Sequence, residues 1–379
     1  MGVTAAAITE QVRRGYWRFF DVQLLLYMLL LVGFGVVIGY SVGYGETPGV
    51  DSNVSQVVRT IVWSVIGLTI YVVLASLDYR WLQTFAVPIY VVVIGLLIIT
   101  LVFGKTVFGA QLSVSVAGLD FQFSEIGKVL TIVVLATYLS SRGRRIGRLS
   151  TILGAGAIVA LPTLLVFRQP DLGSAMVFVA ILGGMLFMAG ASLGWMALIG
   201  GVVIAALPAA IGLLQEYQRT RLFCFLNPMA DPQGACYQLV QGLNAVGSGG
   251  WLGQGLTAGR QNQLGYLPVQ STDFVFTVVG EELGFVGSMV LLALFGLLVW
   301  RVLVIGWGAG DSLGMMVAAG LASMIMFQIL VNVGMVIGVM PVTGIPLPFI
   351  TYGGSSLVSL MFGLGILQSV RMRSFRARF

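Results

Sequence analysis

The segment LGFVGSMVLLALFGLLVWRVLV (283–304) is apolar along its length and carries a single charge, at Arg301. A helix of about 20 apolar residues crosses the hydrocarbon core of a bilayer, so this segment can span a membrane unaided. The chain contains about ten stretches of this kind, which predicts an all-α polytopic membrane protein. The predicted spans are 22–42, 57–75, 83–103, 125–140, 149–167, 172–190, 193–214, 283–304, 313–340 and 355–370.

The composition agrees with this fold class and limits which residue types could carry out catalysis or bind a metal. Only 9% of the 379 residues are charged and 58% are hydrophobic, whereas about one-quarter of a soluble domain is charged. Histidine is absent and cysteine occurs twice. These counts exclude Ser-His-Asp and Cys-His nucleophile systems, His-ligated haem and zinc sites based on His or Cys. Any catalysis must therefore use carboxylates, Lys, Arg, amides and hydroxyls.

The net charge of +6 comes from arginines that gather in short runs beside the predicted spans. This distribution is typical of loops that orient a membrane protein, and it does not form a continuous basic surface that could bind nucleic acid. The positive-inside rule predicts that both termini are cytoplasmic, and the first span is expected to remain as a signal anchor. The basic residues on this side are Arg13, Arg14, Arg18, Arg80, Arg142, Arg144, Arg145, Arg148, Arg301, Arg371, Arg373, Arg376 and Arg378.

The opposite, outer side holds one unusually long connection, 215–282. It is richer in Gly, Pro, Asn, Gln and Ser than the flanking spans, but it contains no low-complexity tract. A long, ordered, mildly polar loop in a protein that is otherwise nearly all membrane is where we expect a site. The whole chain, 1–379, is expected to form a single domain.

Carboxylates lie at the end of this loop. We expect 273–279 to form a short helix at the outer surface, with Glu281 and Glu282 in the first turn of the next span, where the helix dipole favours negative charge. The two glutamates are expected to stabilise the helix end rather than to catalyse. Asp273 precedes an apolar run, so it is either a helix N-cap or a functional carboxylate.

The segment SEIGK (124–128) opens the fourth span. Ser124 is its predicted N-cap, and Glu125 and Lys128 are three residues apart on one helical face, so they can pair. This pair either neutralises itself inside the bundle or lines a polar cavity that meets a charged substrate.

The segment RQPDLG (168–173) joins two spans through a very short connection. Asp171 is expected to cap the sixth span, since Asp is a common N-cap residue. Arg168 and Gln169 could still reach a ligand.

Three other stretches raise structural questions. Cys224 and Cys236 can form a disulfide in an oxidising compartment or remain free thiols. The run GSGGWLGQG (247–255) lacks the lysine of a phosphate-binding loop, so it is flexible or close-packed backbone. The stretch PVTGIPLPFITYGGSS (341–356) cannot be regular helix and must be buried in protein or line a cavity.

Taken in order, several motifs resemble the SEDS family of polytopic cell-wall proteins over essentially the whole chain. They are QPDLGS (169–174), FLNPMADPQGACYQ (225–238), GSGGWLGQG (247–255), YLPVQSTDFVFTVVGEELGF (266–285) and NVGMVIGVMPVTGIPLPFITYGGSS (332–356). The motif MPVTGIPLPF resembles the elongation-type, rod-shape branch of this family more than the division branch. One departure is that GAQ (109–111) is followed by Leu112 and Ser113, where family members usually carry Arg-Trp.

The resemblance implies a peptidoglycan glycosyltransferase that polymerises lipid II, an undecaprenyl-pyrophosphate-linked disaccharide-peptide. It also implies a partner, a class B penicillin-binding protein that cross-links the strands. The family's essential aspartate, in its TDF motif, corresponds to Asp273, and its polar Ser-Glu…Lys segment corresponds to Ser124, Glu125 and Lys128.

Inverting sugar transfer from a pyrophosphate needs a base for the acceptor hydroxyl and positive charge for the leaving group. Asp273 can be the base, and Lys128, Arg221 or Arg260 can meet the pyrophosphate. A divalent cation, Mg²⁺ or Mn²⁺, held by Asp273 and substrate phosphates could replace some of that charge. The predicted substrate-binding residues are Glu125, Lys128, Gln169, Arg221, Arg260 and Gln261.

A lipid II flippase or transporter is the alternative, because about ten spans with polar residues inside also describe a transporter. Two features count against it. The polar residues gather at the outer face rather than at the midplane, and the sequence shows no inverted repeat.

Overall fold

The computed structural model describes residues 16–46, 50–107, 110–116, 119–213, 216–234, 236–260 and 273–374. Helices make up most of this part of the chain. They are α1 (Val22–Glu46), α2 (Val50–Ser76), α3 (Trp81–Thr84), α4 (Ala86–Phe103), α5 (Phe123–Ser140), α6 (Leu149–Arg168), α7 (Leu172–Met188), α8 (Leu193–Leu213), α9 (Glu216–Leu226), α10 (Tyr237–Ser248), α11 (Val275–Trp307), α12 (Ser312–Val336) and α13 (Gly354–Arg373). Two 3₁₀ turns, Gly143–Arg145 and Pro228–Ala230, join neighbouring helices.

Eight of the described helices are long and apolar enough, by length and composition, to cross a membrane: α1, α2, α4, α5, α6, α11, α12 and α13. The other two predicted spans correspond to shorter apolar helices, α7 and the Leu193–Val202 part of α8. Each predicted span therefore overlaps a helix, as expected where a bilayer forces backbone groups to pair within one segment. The mainly helical, polytopic fold class is confirmed.

The centre of the bundle is formed by α5, α12 and α13, which are buried over most of their length. α12 packs against α5, α7 and α11, and α13 packs against α2. Small residues permit this approach, since a Cβ at Gly363 of α13 would lie 2.6 Å from the side chain of Leu321 and 3.2 Å from that of Val129. The peripheral helices α2 and α4 expose apolar side chains such as Val65 and Val87, which suits a lipid-facing surface.

Ion pairs join helix ends on the predicted cytoplasmic face. Asp21, just before α1, is buried and pairs with Arg301 of α11 at 2.5 Å and with Arg371 of α13 at 3.5 Å. Arg80, between α2 and α3, pairs with Asp311 at 3.2 Å, just before α12. Because these arginines come from distant segments and meet at one end of the bundle, they share one face, as the positive-inside rule predicts.

The connection between α4 and α5 contains β structure that the sequence analysis missed. Strands β1 (Lys105–Val107), β2 (Ala110–Val116) and β3 (Leu119–Phe121) pair antiparallel in the order β1-β2-β3. The sequence analysis predicted no secondary structure for this connection between two spans. The alternation of polar and apolar residues in QLSVSV (111–116) was the signal that could have found β2.

Candidate functional site

Asp273 lies two residues before the start of α11 and is half-buried. The N-cap residue of α11 is Phe274, so the N-cap interpretation of Asp273 was wrong. Asn332 of α12 holds the backbone of Asp273 instead, because its Nδ2 donates to the carbonyl oxygens of Asp273 at 3.0 Å and Ile345 at 2.7 Å. Asn332 is fully buried, so these bonds fix Asp273 against the segment that joins α12 to α13.

That joining segment is non-helical over 341–353 and largely buried, as predicted; Ile345 and Leu347 are each 1% exposed. Gly344 has a φ of +72°, which favours glycine. A Cβ at this position would lie 3.3 Å from Oδ2 of Asp273. The carboxylate of Asp273 therefore lies directly against the backbone of this segment.

The predicted ion pair on α5 is present inside the bundle. Nζ of Lys128 lies 2.6 Å from Oε1 of Glu125, and the two side chains are 0% and 2% exposed. Pairing at this distance avoids an isolated charge in a medium of low dielectric constant. Ser124 is buried, and the N-cap residue of α5 is Gln122, so the N-cap interpretation of Ser124 was wrong.

Asp171 caps α7, as predicted, since its Oδ1 accepts from the backbone N–H of Ser174 at 2.9 Å. Burial raises the pKa of this carboxyl above its ordinary value, while the Ser174 hydrogen bonds and the charge of Lys128 act in the opposite direction. The charge of Glu125 raises the same pKa. The cap of α7 therefore lies within electrostatic reach of the buried pair on α5.

The start of α7 also packs against the segment that carries Gly344. A Cβ at Gly173 would lie 2.5 Å from the carbonyl oxygen of Thr343. Thr343 Oγ1 and Asn332 Oδ1 are buried without a hydrogen-bond partner in the described part of the chain. Buried polar atoms in this condition call for water or a ligand. A polar region therefore extends from the α5 pair past α7 to Asp273.

Gln169 lies at the turn between α6 and α7 and is 1% exposed. Its Nε2 donates to the carbonyl oxygen of Leu97 at 2.8 Å, which holds this turn against α4. Arg168, the last residue of α6, is exposed. Of the two residues predicted to reach a ligand, one therefore lies inside the bundle and the other on its surface.

The predicted outer loop is built around a disulfide. Cys224 of α9 and Cys236, just before α10, are bonded with an S–S distance of 2.07 Å, which decides between the two possibilities that the sequence left open. Arg221 is half-buried, one helical turn before Cys224. Gln261 lies outside the described residues.

α11 is broken at Gly284, whose φ of +65° and ψ of −160° are not helical. A break of this kind leaves carbonyl groups before it and N–H groups after it without helical partners. The glycine-rich segment 249–255 supplies those partners through backbone hydrogen bonds of 2.9–3.1 Å. The bonds run from Gln254 N to Glu281 O, Gly255 N to Glu282 O, Phe285 N to Gly250 O and Val286 N to Trp251 O. The segment is therefore close-packed backbone, one of the two possibilities raised above.

Glu281 and Glu282 lie before this break and are 1% and 0% exposed. The prediction that they occupy the first turn of the following span was wrong. The first part of α11 is buried because α10 and the glycine-rich segment cover it. Both carboxylate oxygens of Glu282 lie 2.6 Å from Oγ of Ser41 in α1, so this charge is hydrogen-bonded inside the protein.

Glu281 lines a cavity of about 470 Å³ together with Ser248, Gln254, Ala258 and Arg260. Arg260 is exposed, and its backbone N–H donates to Oε1 of Gln254 at 3.4 Å. A buried carboxylate and an exposed guanidinium thus line one polar cavity beside the break in α11. Such a cavity suits a ligand that carries both hydroxyl groups and negative charge.

The described residues contain no group of three or more His, Cys, Asp or Glu side chains that could hold a metal ion. Asp273 could supply one carboxylate ligand. A divalent cation there would need oxygen atoms from a substrate to complete its coordination.

The described residues include eight helices able to cross a membrane, which defines a polytopic membrane protein, and the polar region that ends at the fixed carboxylate of Asp273 is its candidate site. The family model FTSW_RODA_SPOVE, "Cell cycle protein", matches residues 22–375. The chain belongs to this family, the SEDS family, and is a multi-pass protein of the bacterial cytoplasmic membrane.

Similar proteins agree with this assignment. The chain is 36% identical over 356 residues to "Peptidoglycan glycosyltransferase MrdB" of Escherichia coli strain K12, covering 92% of this chain and 93% of that one. The crystal structure of the Thermus thermophilus rod shape determining protein RodA is similar with a TM-score of 0.70 at 28% identity, covering 94% and 98%. A chain from a peptidoglycan synthase complex, in a study of polymerization and crosslinking, has a TM-score of 0.79 at 30% identity, covering 94% and 99%.

Proposed function

We propose that this chain is a peptidoglycan glycosyltransferase that polymerises lipid II at the outer face of the membrane, with Asp273 as its catalytic carboxylate. The observation that carries the proposal is the fixing of Asp273 by the hydrogen bond from Asn332 and by its contact with Gly344. The similar proteins support it, since MrdB is named as a peptidoglycan glycosyltransferase and the similar synthase complex polymerises as well as cross-links. The motif MPVTGIPLPF favours a role in cell elongation and rod-shape maintenance.

In the proposed reaction, the hydroxyl group of an acceptor sugar attacks the anomeric carbon of a donor sugar. Asp273 takes the hydroxyl proton as the new C–O bond forms. The bond from the anomeric carbon to the pyrophosphate oxygen breaks, and undecaprenyl pyrophosphate leaves with the electron pair. Attack from the face opposite the leaving group inverts the configuration. Because the polyprenyl chain stays in the bilayer, the protein needs to enclose only the head group.

Positive charge for the leaving group comes from Arg260 and Arg221 in this proposal. Arg260 is exposed beside the polar cavity, and Arg221 is half-buried in α9. Lys128 is fully buried and paired with Glu125, so we propose that this pair supports the bound head group from beneath and does not contact the leaving group. Gln169 and Gln261 remain proposed substrate contacts, at the turn before α7 and after Arg260 in the sequence.

We also propose that a class B penicillin-binding protein is the partner that cross-links the strands. The similar chain in the peptidoglycan synthase complex supports this, since that study concerns both polymerization and crosslinking. The proposal treats the chain as one domain that supplies the polymerase of such a pair.

The test is a reconstitution of the purified chain with its partner and lipid II, followed by electrophoresis of the glycan products. Asp273→Asn should abolish polymer formation, because the amide cannot accept the hydroxyl proton. Asp231→Asn is the matched control, since Asp231 is an exposed aspartate of the outer loop in the 3₁₀ region beside the disulfide. Strands of wild-type length and yield from Asp273→Asn would contradict the proposal.

The flippase alternative predicts a different result. Labelled lipid II would cross liposome membranes in the presence of the wild-type chain and equally with Asp273→Asn, and the wild-type reconstitution would give no polymer. That combination would favour transport over polymerisation.

A further inference from the structure

The tip of the glycine-rich segment, residues 250–253, carries two large apolar side chains on the outer part of the molecule. Trp251 is 74% exposed and Leu252 is 79% exposed. The surrounding sequence from 247 to 259 contains no charged residue. Exposed aromatic and aliphatic side chains in an uncharged segment are typical of contact with a membrane or a partner.

The position of the tip relative to α11 indicates whether lipid or protein contacts it. The Trp251 ring contacts the ring of Phe285 edge-to-face, with centroids 5.2 Å apart. Phe285 begins the membrane-spanning part of α11, after the break at Gly284, and it is 51% exposed. The tip is therefore level with the outer end of this span.

The same exposed surface continues down the span. Val286, Met289 and Val290 of α11 are 45%, 42% and 51% exposed. These positions follow one another at helical spacing on a helix that can cross a bilayer, so they form a lipid-facing stripe. Trp251 extends this stripe beyond the end of the helix.

The backbone of the tip suits a region with little water. Gly250 O and Trp251 O accept from the N–H groups of Phe285 and Val286, and Gly253 N donates to Gly249 O. Irregular backbone is tolerated at the edge of the hydrocarbon when its polar groups are paired within the protein. Tryptophan is enriched at this level of membrane proteins because its ring is apolar and its N–H is polar.

We propose that the tip anchors the protein in the outer leaflet. Trp251 and Leu252 insert into the acyl-chain region just below the lipid head groups. The anchor has a structural consequence. The segment 249–255, which contains the tip, is hydrogen-bonded to both sides of the break in α11, and the chain reaches Arg260 at the polar cavity eight residues after Leu252. Its insertion therefore sets the height of that cavity above the bilayer.

The experiment measures depth and does not depend on enzymatic activity. A nitroxide label is attached at Leu252→Cys in the full chain, with the native disulfide oxidised, in vesicles of phosphatidylethanolamine and phosphatidylglycerol. Accessibility to oxygen, which partitions into hydrocarbon, is compared with accessibility to a water-soluble nickel chelate. Val290→Cys on α11 is the lipid-facing reference, and Ala258→Cys at the polar cavity is the aqueous reference.

The ratio of oxygen to nickel accessibility at Leu252 should shift to the side of Val290 and well above that of Ala258. A ratio equal to that of Ala258 would overturn the proposal, because the tip would then be in water. Low accessibility to both reagents would also overturn it, because the tip would then be covered by protein, such as a second copy or a partner.

A second measurement uses the native tryptophan. Subtracting the emission of Trp251→Phe from that of the wild type gives the emission of Trp251, and lipids with brominated acyl chains should quench this difference. A difference emission that the brominated lipids leave unchanged would contradict insertion of the ring.

Discussion

Asn332 joins two segments that are far apart in the sequence, because its Nδ2 hydrogen-bonds the backbone of Asp273 at 3.0 Å and that of Ile345 at 2.7 Å. Asp273 is the carboxylate that we assign to catalysis, and Ile345 follows Gly344, which lies against it. One buried amide therefore sets the position of the carboxylate relative to the segment between α12 and α13.

Replacing Asn332 with Leu should lower activity and stability together. Both carbonyl groups lose a buried donor, which costs about 1–3 kcal/mol for each unsatisfied group. We expect kcat to fall with a smaller change in KM, because Asp273 is displaced while Arg221 and Arg260 stay in place. Thermal unfolding and steady-state polymerisation check this.

Gln328→Leu is the matched control for this variant. Gln328 is one turn earlier on α12 and 1% exposed, and its Oε1 is buried with no partner in the described part of the chain. Its removal should leave stability and kcat nearly unchanged. Equal losses from the two variants would contradict the role assigned to Asn332.

Gly344→Ala should reduce activity through contact with the carboxylate of Asp273. Alanine at a φ of +72° costs about 1–2 kcal/mol, and its Cβ would lie 3.3 Å from Oδ2 of Asp273. Gly338→Ala separates these effects, since Gly338 has a φ of +74° but its Cβ would face the side chain of Leu243. We expect similar drops in melting temperature and a larger loss of kcat for Gly344→Ala; equal kcat values would refute the contact.

Breaking the buried pair on α5 should be more costly than removing it. Lys128→Met alone leaves Glu125 buried without its partner, a change that typically costs about 3–5 kcal/mol. The double variant Glu125→Leu/Lys128→Met should recover much of that stability. Thermal unfolding of both single variants and the double variant gives the coupling between the two residues.

The same set of variants decides between the two interpretations of this pair. If it serves the substrate, as we propose, the double variant recovers stability but not activity. Recovery of both would show that the pair only neutralises itself inside the bundle.

The break in α11 should not tolerate a side chain. Gly284 has a φ of +65°, and a Cβ there would collide with the backbone N of Gly253. Gly284→Ala should therefore separate segment 249–255 from α11 and sharply lower the melting temperature. Gly296→Ala, in the same helix with open space around its Cβ, should be neutral or stabilising by up to about 1 kcal/mol. Similar melting temperatures for the two variants would contradict the account of the break.

Local patterns predicted several features of the structure correctly. The cap on α7 by Asp171, the pairing of Glu125 with Lys128 and the non-helical segment 341–353 each follow from residues close together in the chain. A capping bond spans three residues, an ion pair on one helical face spans three or four, and the closely spaced prolines and glycines of 341–354 disfavour regular helix. Such features depend little on the rest of the fold.

Other features depended on contacts that no local pattern encodes. The sequence predicts that Glu281 and Glu282 lie in the first turn of the span, because the helix dipole favours negative charge there. Their true position follows from the break at Gly284, which is stabilised by a segment about 30 residues earlier. The role of Asn332 was also not predictable, since a single amide in an apolar helix does not indicate which carbonyl groups will accept its hydrogen bonds.

The sequence by itself determined that this is a membrane-spanning helical bundle with most of its arginines on one face, because a bilayer accepts only long apolar segments with internally paired backbone. It also identified Asp273 as the carboxylate of interest. Only the tertiary structure decided how that carboxylate is held, which half of α11 buries the two glutamates and what completes the broken helix. Those outcomes depend on hydrogen bonds and close backbone contacts between segments that approach one another only when the chain has folded.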